Sequence, residues 1–86
     1  MTMSSMFLNV RILSPSATIF EGKVQTCLIP TPEGPMKILP RHMSVAGRLS
    51  HGKVHVTHDD GHQDVYGVEE GGFYRISPDS VHLWIG

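Results

Sequence analysis

Four prolines fall within eleven residues of this chain: Pro30, Pro32, Pro35 and Pro40. Each fixes φ and removes a backbone donor, so the approach from Pro30 to Pro35 is expected to be a loop, neither helix nor central strand. Residues 36–39, Met-Lys-Ile-Leu, are apolar enough to form a short strand. Pro40 is expected to end that strand, with Arg41 and His42 on a turn just beyond. A loop stiffened by this much proline loses little entropy when a partner immobilises it, which is the property a binding edge needs.

The rest of the chain alternates with a period of two and is broken often. Leu8, Val10 and Ile12 fall on one face and Asn9 and Arg11 on the other, as in a half-buried strand. Ser14-Pro15-Ser16 reads as a turn, residues 18–20 as a short strand, Glu21-Gly22 as a turn and residues 23–29 as a strand. Residues 45–49 are apolar but their period is undetermined. Residues 54–66 read as a hairpin in which Asp60-Gly61 supplies a two-residue type I′ turn. That register sets Val56 opposite Val65, Val54 opposite Gly67, His55 opposite Tyr66 and Thr57 opposite Asp64. Gly71-Gly72 breaks the next run, residues 73–77 form a strand, and Pro78-Asp79-Ser80 turns the chain. Val81, Leu83 and Ile85 then alternate with His82 and Trp84. No segment has a helical period. At least seven short strands with turn signals about every eight to twelve residues predict an all-β fold, a small β-sandwich or barrel of short antiparallel strands.

A chain of 86 residues is one domain with one modest core. We expect residues 1–6 to be a flexible N-terminal tail and residues 7–86 a single domain. The balance of seven basic against eight acidic side chains, formal charge −1, gives no electrostatic case for nucleic acid or anionic lipid. The six histidines make the charge sensitive to pH near neutrality. Cys27 is the single cysteine, excluding an internal disulfide, and its place in an alternating apolar strand suits a small core hydrophobe. The start of the chain lacks the basic and apolar regions of a signal peptide. No run approaches the ~20 apolar residues of a membrane helix, so any membrane association is expected to go through a partner.

Four groupings carry a chemical reading beside a plainer one. His51, His55, His58 and His62 have a spacing that would line one face of a helix and bind zinc. Gly52, Val54, Val56 and Asp60-Gly61 oppose a helix there, and in a hairpin the four rings are expected to disperse, leaving Asp59, Asp60 and His62 at a polar tip. Gly47 to Lys53 matches the first seven positions of a phosphate-binding loop, but Val54 stands where Ser or Thr must ligate magnesium, and a strand follows instead of a helix. Met36-Lys37 has the look of the modified lysine of biotinyl or lipoyl carrier domains, but Lys37 runs into a strand where that chemistry needs an exposed tip. Glu69 and Glu70 are adjacent, so on a strand they face opposite ways, and they are expected to solvate a turn. No catalytic grouping is expected, and no cofactor, metal or small-molecule substrate.

The prolines also sit in a segment with a family likeness. Glu33-Gly34, then Ile38-Leu39-Pro40, then His42 resembles the E-G-x-x-G-I-L-P-G-H segment of the F-type ATP synthase epsilon subunits. Ser14-Pro15 followed by Phe20-Glu21-Gly22 and Val24 resembles that family's T-P-x-x-x-x-F-E-G-x-V opening, and Gly71-Gly72-Phe73 its G-G-F ending. The three segments are in register over roughly Leu8 to Ile85. Lys37 and Arg41 replace family glycines, Met43-Ser44 replaces Ala-Pro, and Pro35 stands where an acidic or small residue is common.

The resemblance implies the N-terminal β-sandwich of an epsilon subunit, without the C-terminal helical pair that usually follows. It implies a non-catalytic component of the central stalk, monomeric in isolation and one copy per complex. Such a component couples the gamma subunit to the c-ring in proton-driven ATP synthesis, peripherally on the cytoplasmic side of the bacterial inner membrane. It further implies that Thr31, Pro32, Glu33, Gly34, Pro35 and Met36 form the loop towards the c-ring, and that Arg41, His42 and Met43 contact gamma. An exposed apolar patch on one face of the free domain, and no nucleotide binding, follow as expectations.

Overall fold

The computed structural model describes residues 7–41 and 44–86. The tail expected over residues 1–6 lies outside the described residues, as do His42 and Met43. Among the described residues nine strands run in order: β1 (Leu8–Leu13), β2 (Thr18–Val24), β3 (Thr26–Thr31), β4 (Gly34–Ile38), β5 (Val45–Leu49), β6 (Gly52–Thr57), β7 (Gln63–Val68), β8 (Gly72–Ser77) and β9 (Ser80–Ile85). They form two sheets, one ordered β2-β1-β9-β8-β5 and the other β4-β3-β6-β7. The chain is therefore all-β, as its alternation predicts, and of sandwich or barrel it is the sandwich that the family resemblance implied. The one parallel ladder among the described residues, β1 against β9 with Asn9 opposite Ser80 and Leu13 opposite Trp84, is not signalled by the alternation.

The alternation puts one side of every strand between the sheets. Leu8, Val10, Ile12, Ile76, Val81 and Leu83 of the first sheet meet Cys27, Ile29, Ile38, Val54, Val56 and Val68 of the second, all at most 1% exposed. Burying one such side chain contributes about 1.5–3 kcal/mol relative to leaving it in water. Phe20 and Tyr66 close the β2–β7 side of the core, their ring centroids 5.6 Å apart.

Three sequence expectations change. Glu21-Gly22 is not a turn: β2 runs straight through it, with Val10 opposite Gly22. The Phe20 ring lies over Gly22, where an added Cβ would come within 3.3 Å of it. The chain bends instead at Gln25, whose N–H donates to the Thr57 carbonyl at 2.7 Å. There it crosses from one sheet to the other, so that Val24 is buried in the first and Cys27 in the second.

Pro30 and Pro35 lie within strands, opposite each other on β3 and β4. The β3–β6 ladder stops at Leu28 opposite His55, so Pro30 is spared a donor on that side. β4 is an edge strand, and Pro35 needs no donor on its outer side.

The β6–β7 hairpin has a different register. His58 N–H donates to His62 C=O and Gly61 N–H to His58 C=O, both at 2.9 Å, which makes a three-residue loop of Asp59, Asp60 and Gly61. Gly61, at φ 93°, takes the left-handed position such a loop requires. Val54 therefore faces Tyr66, His55 faces Val65, Val56 faces Asp64 and Thr57 faces Gln63. The one-residue shift moves Val65 from the core face to solvent, 48% exposed.

Candidate functional site

The proline segment folds as a tight hairpin. Thr31 and Gly34 close the β3–β4 ladder, leaving Pro32 and Glu33 as an exposed two-residue tip. Thr31 Oγ1 donates to the Gly34 carbonyl at 2.6 Å and accepts from Glu33 N–H at 3.2 Å. The Thr31 side chain thus braces the turn from inside and is the buried polar residue of the described chain, 8% exposed. Pro35 points outward, while Met36 turns inward and packs against the core. Of the six residues Thr31 to Met36, the outer surface is thus made by Pro32, Glu33 and Pro35. A shallow groove of about 290 Å³ lies beside the turn, lined by Leu28, Pro30, Pro35, His51, Lys53 and His55.

Beyond β4, Pro40 and Arg41 form a turn at the other end of the sandwich. Arg41 is exposed and sits at φ 67°, in the left-handed region, and its N–H donates to the Pro78 carbonyl at the β8–β9 turn. A glycine meets no penalty there, which gives a physical reason for the glycine that Arg41 replaces in the resembled pattern. β4 therefore separates the two halves of the segment. The Pro32-Glu33 tip shares its end with Ser50 and Gly52, since Ser50 N–H donates to Pro30 C=O at 3.0 Å. Glu69 and Glu70, just past β7 whose Val68 pairs with Gly52, are exposed at that same end. This end carries Glu33, Glu69 and Glu70 beside Lys53; the other carries Arg41, with Asp79 in the adjoining turn.

The outer face of the five-stranded sheet bears an apolar row. Phe73 and Trp84 are directly opposite each other, 59% and 42% exposed, with Leu13 next to Trp84 and Arg48 next to Phe73. His82 meets the Trp84 ring edge to face at 5.9 Å. Other exposed apolar side chains, Val65 and Leu39, lie on separate surfaces.

The remaining sequence groupings resolve individually. Lys37 is exposed in mid-strand opposite Leu28, away from any hairpin tip. Residues 47–53 pass from β5 into β6, with no helix to hold a phosphate. Cys27 is fully buried, and burial pushes its thiol up to about 12. The four histidines do not all disperse. His51 and His55 line the groove, but His58 and His62 stack, with ring centroids 4.1 Å apart and planes 9° from parallel. His58 Nε2 lies 2.8 Å from Asp64 Oδ2, and His62 Nδ1 lies 2.8 Å from Asp60 Oδ1. The His62 backbone N–H and then its side chain hold the Asp60 carboxyl below its ordinary range, and the bond to Asp60 raises His62. The signal for this pairing was in the sequence: His-Asp-Asp-Gly-His suits a three-residue loop whose closing residues are the two histidines. Among the described residues no helix is long and apolar enough to cross a membrane.

This geometry has relatives. The sequence profile of the ATP synthase delta/epsilon chain beta-sandwich domain matches residues 7–84. The chain is similar to the ATP synthase epsilon chain of Campylobacter hominis, 32% identical over 81 residues, covering 94% of this chain and 61% of that one. It is similar to the same chain of Halalkalibacterium halodurans, 34% identical over 76 residues, covering 88% and 56%. It thus spans about three-fifths of the length of the curated relatives it matches. Among solved structures, a chain of the Euglena gracilis mitochondrial ATP synthase superimposes with a TM-score of 0.86 at 23% identity, covering 93% of this chain and 51% of that one. A chain from the central stalk and c-ring of the Tetrahymena thermophila mitochondrial enzyme gives 0.69 at 13% identity, covering 91% and 62%. The two structures share the fold, and the profile and the curated relatives carry the kinship: the chain belongs to the ATP synthase delta/epsilon family, of which it contains the β-sandwich domain.

Proposed function

We propose that this chain acts as an epsilon-type subunit in the rotor of a proton-driven ATP synthase, fastening the gamma subunit to the c-ring without performing chemistry itself. The observation that carries the proposal is the family match across residues 7–84, the whole described sandwich. The fold suits the task, because a fastener between shaft and ring needs two separated contact regions on a stiff body. The two halves of the proline segment supply them at opposite ends of β4.

In this reading Pro32, Glu33 and Pro35 face the polar loops of the c-ring. The turn is preformed by Thr31, so docking costs little ordering entropy. Glu33, Glu69 and Glu70 outnumber Lys53 at that end, so a ring loop bearing lysine or arginine is the complementary surface. Arg41 faces gamma from the other end, where its planar guanidinium suits a carboxylate or backbone carbonyl. The subunit reaches the cytoplasmic face of the membrane through these partners, one copy per complex.

Co-expression with the gamma subunit of the same organism, followed by size-exclusion chromatography, tests the reading. A 1:1 complex is expected. Failure of the folded chain to associate with gamma overturns it.

A further inference from the structure

We propose that the tip of the β6–β7 hairpin is a binding site for one divalent transition-metal ion of the zinc type, ligated by His58, His62 and Asp64. One ligand atom from each of these three residues lies within 4.8 Å of the others. The site is distinct from both partner surfaces of the proposed function and does not depend on that reading.

The geometry begins with the loop. Because His58 and His62 close a three-residue turn, their side chains leave the same face of the hairpin and stack. Asp64 follows His62 by two residues and therefore shares its face of β7. Its Oδ2 lies 2.8 Å from His58 Nε2 and 3.8 Å from His62 Nε2. Two nitrogens and one oxygen around a tetrahedral zinc sit about 3.4 Å apart, given metal–ligand distances of about 2.1 Å. The two observed separations from Asp64 bracket that value, so the carboxylate already lies at ligand range of both rings.

Two further features suit a ligand site. Asp60 accepts from His62 Nδ1–H at 2.8 Å, so the proton is held on that nitrogen and the Nε2 lone pair is left for a metal. Carboxylate–histidine–metal arrangements of this kind fix the tautomer and raise ligand basicity. His58 is held from below: its ring meets Phe20 edge to face at 6.1 Å, and its side chain is 21% exposed. His62, at 57%, has room to move. A metal must lie near the plane of each ring, so binding requires the stack to open, with His62 the ring that swings. The proton on His58 Nε2 passes to Nδ1 of the same ring, and the metal takes its place between His58 and Asp64. Nitrogen and carboxylate donors in this number leave a fourth position for water and favour zinc over calcium or magnesium, which seek oxygen ligands.

The test is zinc chloride titrated into the untagged full chain by isothermal calorimetry, with histidine ring proton shifts followed by NMR. One zinc per chain is expected, with the ring signals of His58 and His62 moving and those of His51 and His55 fixed. Asp64→Asn and His62→Gln should each weaken binding at least tenfold, and Asp60→Asn, which removes the charge from the supporting bond, about tenfold. Circular dichroism melts on the same samples establish that each variant is folded. Binding that Asp60→Asn and Asp64→Asn leave unchanged, or that His51→Ala and His55→Ala weaken equally, overturns the site, as does no saturable binding to the parent.

Discussion

Pro30 and Pro35 face each other across the β3–β4 ladder, two residues without an N–H at directly opposed positions. Neither can donate, so the pair fits only a position of the ladder where no bond runs between the strands. This sets the register of the hairpin without help from the core, and it puts Thr31 and Gly34 at the closing pair with Pro32 and Glu33 beyond them.

Thr31 is the consequence of that register that is easiest to test. Thr31→Val keeps the shape but removes the donor to Gly34 and the acceptor for Glu33 N–H. The loss should be about 1 kcal/mol, measured as a lower denaturant midpoint with unchanged slope. Amide exchange at Glu33 should quicken more than elsewhere. Uniform exchange would mean that the prolines alone hold the turn.

Gly72 allows no side chain. A Cβ there would stand 1.9 Å from the Trp84 carbonyl oxygen, which is backbone and cannot swing aside. Gly72→Ala should therefore cost about 3 kcal/mol or more and lower the melting temperature by at least about 12 °C. A melt within about 4 °C of the parent would show that the β8–β9 ladder yields at this point.

Arg41 separates folding from binding. Its φ of 67° strains any residue with a Cβ, so Arg41→Gly should stabilise the isolated chain by about 0.5–1 kcal/mol, a rise of about 2–8 °C. If Arg41 also anchors gamma, the same variant should bind gamma about 1–3 kcal/mol more weakly. A more stable chain with unchanged gamma affinity would remove Arg41 from that interface. A less stable chain would show that the guanidinium supports the turn.

Cys27 should be inert to thiol reagents at pH 8 in the folded chain and reactive once unfolded, since only the thiolate attacks. Burial raises its folded value from 9.0 to about 12, so between these the native state holds a proton that the unfolded chain gives up. Stability from this residue is therefore full below about pH 9 and falls as the pH rises, by about 1.4 kcal/mol per unit. Between pH 8 and pH 10 the stability of the parent, from denaturant melts, should fall by about 1.4 kcal/mol more than that of Cys27→Ala, because only the unit above pH 9 contributes. Equal slopes would mean that the thiol ionises in place.

The period-two alternation of Leu8-Val10-Ile12, Val54-Val56 and Val81-Leu83-Ile85 determined by itself that the chain would be all-β, sandwich or barrel, and which side of these three strands would be buried. Apolar spacing is a local property, and it needs no partner to be read. The Pro78-Asp79 turn and the break at Gly71-Gly72 were legible for the same reason. What the tertiary structure decided was pairing. The shift of one residue in the β6–β7 ladder turned on whether Asp60-Gly61 or Asp59-Asp60-Gly61 makes the loop. Both choices suit the sequence locally. In the folded chain Val68 and Tyr66 lie against the core and Val65 faces solvent. The same shift brought His58, His62 and Asp64 together. Pro30, which reads locally as a strand breaker, is accommodated because its neighbour β6 stops pairing two residues earlier, a fact held in another part of the chain. The two halves of the proline segment looked like one surface in sequence; β4, crossing the sandwich between them, made them two.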